Sequence, residues 1–272
     1  MTVNINEPNR NPRILAVANQ KGGVGKTTTA INLATGLAQE GLRCLVIDLD
    51  PQGNASTGLD CPADSRGRTT YDTLRGDCAL EEVIRPTPVE NLMLAPASID
   101  LSGIDVELVD DQDRARRLKQ LIGLPDGLRE AYDFILIDCP PSLNLLTVNA
   151  MVAADAVLVP LQCEFFALEG LSQLLATVRR VQQSLNPGLK IAGIVLTMYD
   201  KRNRLSAQVA EDVRENLGDV VCETVIPRNV RLSEAPSHAL PALIYDPTCA
   251  GSRAYAALAK EIAGRERRES AA

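Results

Sequence analysis

The sequence predicts an α/β fold: a doubly wound, mostly parallel sheet with helices on both faces. Three observations carry this. Short apolar runs, among them Ile14–Ala18, Cys44–Ile47 and Ala156–Val159, alternate with longer segments of helical periodicity, the order that right-handed crossovers between parallel strands require. The first run leads through Lys21-Gly22-Gly23-Val24-Gly25-Lys26-Thr27-Thr28 into a helical segment, the strand–loop–helix context of a phosphate-binding loop. A later run, Phe134–Ile137, ends in Asp138-Cys139-Pro140-Pro141-Ser142 and places a carboxylate at the carboxyl end of a strand.

Arg13–Ala18 is the first strand. In the loop that follows, glycines allow positive φ and bring backbone N–H groups close to an anion. The helix starting at Lys26 adds its free N–H groups and the positive end of its dipole. Lys26 supplies a point charge for β- and γ-phosphates, and the Thr27 hydroxyl is placed to ligate Mg²⁺. The helix runs to about Glu40 with Ala30, Leu33, Ala34 and Leu37 on one face, and Gly41 is its stop. The second strand, Cys44–Ile47, ends in Asp48-Leu49-Asp50-Pro51-Gln52-Gly53-Asn54. Acidic residues beside a phosphate loop suit holding a Mg²⁺ water shell or orienting an attacking water; without that loop they would read as a capped turn.

Ser56 to about Ile84 is the least regular stretch, with a short helix opening over Thr69–Leu74. Asn91–Pro96 reads as a strand. Glu107–Leu121 reads as one charged surface helix, with Arg114, Arg116, Arg117 and Lys119 opposite Asp110, Asp111 and Asp113. Tyr132–Asp138 is the strand ending in the second anchor. Ala156–Pro160 is the next, and Glu164–Gly170 leads into a long helix to about Leu185, closed by Asn186-Pro187-Gly188. Ile191–Thr197 is a buried strand followed by Met198-Tyr199-Asp200 and the cations Lys201, Arg202 and Arg204. A helix from Leu205 to Leu217 and a short strand, Val225-Ile226, precede Pro227-Arg228-Asn229-Val230-Arg231. The last helix spans about Gly251–Ala263, with Tyr255, Leu258, Ala259 and Ile262 on its apolar face. The expected organisation is a mobile tail over 1–12, a single domain over 13–264 and a frayed charged tail over 265–272.

Composition narrows the classes. Trp is absent and aromatics are few, so the core is built from Leu, Val, Ile and Ala. No run of about 18 apolar residues offers a membrane span, and the polar start lacks the apolar segment of a secretory signal. Seven cysteines, with no C-x-x-C pair, read as reduced structural thiols of a cytoplasmic protein. The net charge of −7 argues, on the mean alone, against nucleic acid as a partner.

The loop with its second lysine, K-G-G-V-G-K-T, resembles the deviant Walker A group of P-loop NTPases, the ParA/MinD superfamily, and the Ile137-Asp138-Cys139-Pro140-Pro141-Ser142 segment resembles its Walker B strand. The likeness spans Arg13 to Ile262. Ala18-Asn19-Gln20, Asp48–Asn54, Ala167–Leu171, Thr197–Asp200 and Ile226–Ser237 place it nearest the chromosomal ParA branch, also called Soj. The resemblance implies a weak, Mg²⁺-dependent ATPase. Lys21 would reach across a homodimer to the partner's phosphates, and the nucleotide would lie on 21–28. Asp50 would position or activate the water, with Thr27, Asp48 and Asp138 around Mg²⁺. Pro227 and Asn229 would contact the adenine, with Met198 nearby, and Arg202 and Arg231 would touch DNA. It also implies an ATP-bound dimer that binds duplex DNA without sequence preference, a ParB-type partner that stimulates hydrolysis and releases it, and a nucleoid-associated location.

Clustered cations rather than mean charge govern DNA binding, which answers the acidic total. The alternative is a MinD-like or orphan ATPase that positions a protein or membrane cargo. Against it, the closing helix is alanine-rich and reads as packing on the sheet rather than as a membrane anchor. A nitrogenase-type iron protein would need cluster cysteines that are not found, and a dethiobiotin-synthetase-type ligase would not carry the ParA-branch segments.

Overall fold

The computed structural model describes residues 12–123, 128–164 and 167–270. The tail expected over Met1–Pro12 therefore lies outside them except for Pro12, as do Phe165 and Phe166. In chain order the elements are β1 (Arg13–Val17), α1 (Lys26–Gln39), β2 (Cys44–Asp48), α2 (Asn54–Gly58), α3 (Thr70–Arg75), β3 (Arg85–Pro86), β4 (Leu92–Ala95), α4 (Ile104–Glu107), α5 (Arg117–Gly123), α6 (Leu128–Ala131), β5 (Phe134–Asp138), α7 (Leu145–Ala153), β6 (Ala156–Gln162), α8 (Ala167–Ser184), β7 (Lys190–Tyr199), α9 (Arg204–Leu217), β8 (Val221–Pro227), α10 (Val230–Glu234), α11 (Ala242–Tyr245) and α12 (Ala250–Ser270).

One sheet runs β3-β4-β2-β5-β1-β6-β7-β8, parallel except for the antiparallel edge strand β3. Side chains alternate between its faces: Ile14 and Ala16 enter one core with α7, α8 and α9, whereas Leu15 enters the other with α1 and α12. Both faces are thus covered by helices, which is why the central strands are apolar throughout. The doubly wound class is the observed one. The chain leaves β1 toward β2 on one side and later places β6 on the other, so the carboxyl ends of β1, β5 and β6 form the switch point where such sheets bind ligands.

Four expectations need correction. The single helix over Glu107–Leu121 does not form; α4 ends at Glu107, and the chain turns before resuming at Arg114. Leu108 is buried, the Asp111 carboxylate accepts from the Asp113 amide at 2.9 Å, and Arg117 pairs with Asp111 at 2.6 Å. These local bonds compete with the helical ladder. The last strand begins at Val221 rather than Val225; it lies at the sheet edge, where Glu223 is tolerated facing solvent. The stretch from Ser56, read as least regular, begins inside helix α2 (Asn54–Gly58), which is started by Gly53 in the left-handed region (φ 62°). The closing helix continues to Ser270 rather than stopping near Ala263. Arg265, assigned to a frayed tail, donates to the Asp219 and Val221 carbonyls at 3.0 and 3.1 Å.

Candidate functional site

The phosphate loop sits at the carboxyl end of β1, in the middle of the sheet. Gly23 and Gly25 have φ of 74° and 88°, and a Cβ at Gly22, Gly23 or Gly25 would meet nothing within 4 Å. The space beside these glycines is therefore open, as an anion cradle needs. It is anchored from several sides. Asn19 donates to the Pro160 carbonyl at 2.7 Å and accepts from the Lys21 amide at 3.0 Å, while the Thr197 hydroxyl donates to the Val24 carbonyl at 2.8 Å. Lys26 is buried, and its ammonium donates to the Lys21 carbonyl at 2.9 Å. Burial lowers its pKa, opposed by the charges of Asp138, Cys139 and Asp50.

The two carboxylates flagged at strand ends face each other across one rung: Asp48 of β2 is the register partner of Asp138 of β5. Both are fully buried. Asp48 is satisfied internally. It accepts from the Ser56 amide and hydroxyl at 2.8 and 2.7 Å and from the Asp50 amide at 3.0 Å, yet burial still pushes its carboxyl up to about 6. Asp138 has two buried oxygens with no hydrogen-bond partner. Burial, followed by the Asp48 charge, drives its carboxyl well above the usual range, against the opposing influence of Thr27 and Lys26. An orphaned buried carboxylate beside a threonine and a cradle of open backbone is a fitting donor set for a hard, oxygen-seeking divalent cation. Asp50 is buried, and its carboxylate accepts from the Gln52 amide at 3.0 Å.

Beside the loop lies a cavity of about 660 Å³ whose walls include Thr27, Asn32, Met198, Pro227, Asn229 and Tyr255. The expected base-contacting residues thus do gather next to the loop. Met198 holds a left-handed backbone (φ 50°), uncommon for a non-glycine residue. Asn229 also caps α10, its side-chain oxygen accepting from the Arg231 amide at 2.9 Å. Asn32 and Tyr255 were missed as lining residues. Tyr255 reads in sequence as a core position, and it is buried, but its hydroxyl meets the Thr29 hydroxyl at 3.0 Å under the cavity. Asn32 sits inside a helix, where spacing alone gives no signal.

The basic residues after β7 and β8 emerge side by side. Tyr199 pairs with Pro227 in register, and the Arg228 amide donates to the Tyr199 carbonyl at 3.0 Å. Lys201, Arg202, Arg204, Arg228 and Arg231 are all exposed there. Arg231 pairs with Glu234 at 2.8 Å and Asp246 at 3.5 Å and lies over the Tyr245 ring. Lys21 lies apart from that edge, half exposed, in an ion pair with Glu164.

A family profile described as an AAA domain matches residues 12–191. The chain is 58% identical over 257 residues to the chromosome partitioning protein ParA of Caulobacter vibrioides, covering 94% of this chain and 95% of that one. It is 55% identical over 254 residues to the chromosome-partitioning ATPase Soj of Treponema pallidum, covering 93% and 98%. The chain belongs to the ParA/Soj family of chromosome-partitioning ATPases. Among solved structures, cobyrinic acid a,c-diamide synthase from Mycobacterium smegmatis with bound ADP and magnesium matches with a TM-score of 0.78 and 38% identity, covering 92% of this chain and 93% of that one. The ParA/Soj assignment rests on nearly the full length of both curated relatives, and the fold likeness places a nucleotide-binding architecture over the same span. No helix among the described residues of this ParA/Soj chain is long and apolar enough to cross a membrane.

Proposed function

We propose that this chain is a nucleotide-switched DNA-binding partition ATPase. ATP is held by residues 21–28, with Met198, Pro227 and Asn229 around the base. Mg²⁺ is held by Thr27 and Asp138, with Asp48 supporting its water shell; when bound, it neutralises the charge on the β- and γ-phosphate oxygens. The chain's own groups divide the remaining work. Lys26 presents a buried ammonium to the phosphates and exchanges its bond to the Lys21 carbonyl for them. Loop amides hold the phosphate oxygens in line. Asp50 sits at the mouth of the loop to orient the attacking water.

Lys21 leaves Glu164 to reach the partner subunit's phosphates in an ATP-bound homodimer, so nucleotide and dimer form together. That dimer doubles the exposed cations at the β7–β8 edge, where Arg202 and Arg231 contact duplex DNA through its phosphates without sequence preference. A ParB-type partner then stimulates hydrolysis and releases the dimer, a cycle that implies a slow intrinsic rate and a nucleoid-associated location.

The observation that supports this reading best is the convergence of two cationic segments at one sheet edge, joined by the Arg228–Tyr199 backbone bond, in a chain whose mean charge is acidic. Arg228 also lines the cavity, so base site and basic edge share a wall. The membrane-cargo alternative has no comparable support, because Tyr255, Leu258, Ala259 and Ile262 of α12 are buried against the sheet. The test is random-sequence duplex binding with ATP, with ADP and without nucleotide, at two salt concentrations, using Asp50→Ala to hold the ATP state. Salt-sensitive binding with ATP alone, abolished by Arg231→Glu with nucleotide affinity intact, is the expected result. ATP-driven dimerisation with no DNA binding in any state overturns it.

A further inference from the structure

Arg66 lies in the stretch that looks least regular in the sequence, yet it is one of the most thoroughly bonded side chains in the molecule. It is only 6% exposed. Its Nε donates to the Cys61 carbonyl at 3.0 Å, Nη1 to the Ala97 carbonyl at 3.0 Å, and Nη2 to both the Gly53 carbonyl and the Thr57 hydroxyl at 2.9 Å. All four acceptors are neutral. Burying a guanidinium without an acidic partner is expensive, and an apolar side chain would fill the same space for the core at lower cost. The arrangement therefore points to placement of its acceptors rather than to packing.

One of those acceptors, the Gly53 carbonyl, belongs to the turn that Asp50 opens. The Gly53 amide closes the turn by donating to the Asp50 carbonyl at 2.8 Å, and the Gln52 amide donates to the Asp50 carboxylate. Gly53 is left-handed (φ 62°), and a Cβ there would lie 2.0 Å from Arg66 Nη1, so the guanidinium lies directly against that backbone. The far side of the grip is Ala97, just past β4. Its carbonyl is held by Arg66, while its amide donates to Ser56 Oγ at 3.0 Å, whose hydroxyl donates to Asp48 at 2.7 Å. One residue beyond the adjacent strand is thus clamped from both ends to the loop that carries both acidic residues.

We infer that Arg66 is a positioning residue for Asp50: it locks the Asp50–Gly53 turn against Ala97 so that the Asp50 carboxylate stays aimed at the phosphate loop. This rests on the reading of Asp50 as the group that orients water. Arg66 does not itself line the cavity and reaches it only through its bond to Thr57, so its loss should change turnover more than binding.

The test compares full-length wild type, Arg66→Met, Arg66→Lys, Asp50→Ala and the double variant Asp50→Ala/Arg66→Met. The readouts are ATP turnover, KM, affinity for a fluorescent ATP analogue, and melting temperature. Arg66→Met should lower kcat tenfold or more with KM and affinity within twofold of wild type. Arg66→Lys, able to keep some of the bonds, should fall between them. The double variant should be no slower than Asp50→Ala alone. Unchanged kcat in Arg66→Met overturns the inference, as does parallel loss of affinity and turnover or a multiplicative double variant. If Arg66→Met does not fold, Arg66→Lys decides by the same split between kcat and KM: lowered kcat at constant KM supports the role, and wild-type kcat overturns it. Wild-type turnover in Asp50→Ala would instead remove the reading of Asp50 itself, an outcome separable from failure of Arg66.

Discussion

Arg231 is paired with Glu234 at 2.8 Å, three residues along the same short helix. Asp246 approaches the guanidinium at 3.5 Å from another segment, and the Tyr245 ring lies beneath it with its centroid 6.0 Å away. The arginine proposed to grip phosphate is already engaged with two carboxylates, so DNA must compete for it. Glu234→Gln should tighten binding of the ATP-held protein to random duplex about two- to fivefold at low salt, the range expected for an exposed pair, with the gain shrinking as salt rises. Fluorescence anisotropy against salt concentration measures it, and weaker binding by the variant would contradict competition.

Asp138 offers a second prediction, because both its oxygens are buried without hydrogen-bond partners. Replacing it with asparagine removes a carboxyl whose burial beside Asp48 outweighs the support it receives from Thr27 and Lys26. Asp138→Asn should therefore stabilise the fold by about 1–3 kcal/mol, read as a higher melting temperature in the presence of a chelator. It should also abolish the extra stabilisation that Mg²⁺ adds to nucleotide. Thermal melts with nucleotide, plus and minus Mg²⁺, separate the two effects.

At Gly36 α1 packs tightly against α12. A Cβ there would stand 2.8 Å from the Ala259 Cβ, both being core positions of two helices packed together. Gly36→Val should destabilise the fold by about 1–3 kcal/mol through overpacking. Adding Ala259→Gly should recover part of that loss even though the second change is itself unfavourable in a helix. Denaturant titrations of the four proteins of this cycle measure the coupling.

Glu261 predicts a pH dependence. Burial raises its carboxyl, but the Thr224 and Glu223 amides, at 2.9 and 2.8 Å, and Arg265 more than reverse this, so it lies below the ordinary glutamate value of 4.5. A depressed carboxyl contributes stability that is complete above the unfolded-state value and disappears as pH falls through the folded-state value. Glu261→Gln should cost about 1–2 kcal/mol at pH 7, and the gap to wild type should close progressively below pH 4.5. A gap that persists unchanged in acid would show that the charge is not responsible.

The layer order and the meeting place of the site were legible because both are written in patterns of fixed period and spacing. Apolar strands buried on both faces, glycines where φ must be positive, and aspartates at strand ends each leave a local signature. The structure accordingly brings Lys26, Thr27, Asp48 and Asp138 to one place. What stayed hidden depends on contacts distant in sequence. Arg66 sits among glycines and polar residues, and only folding brings the Ala97 carbonyl to it. The break at Leu108–Asp113 was invisible because charged residues suit a helix surface and an Asx turn equally well; the Asp111–Arg117 pair and burial of Leu108 decide between them. Asn32 carries no spacing signal, and Tyr255 satisfies the apolar face of a helix, which conceals its hydroxyl.

Thr197 holds the Val24 carbonyl and belongs to β7, whose end leads directly into Lys201, Arg202 and Arg204. The loop is therefore tethered to the same strand that carries the first basic cluster, with one residue, Met198, between the tether and the strand's last residue. One hydroxyl thus links the phosphate loop to β7, the strand next to the β8 edge. Removing that hydroxyl while keeping the side chain's shape, as Thr197→Val would, should cut the link between the loop and this strand.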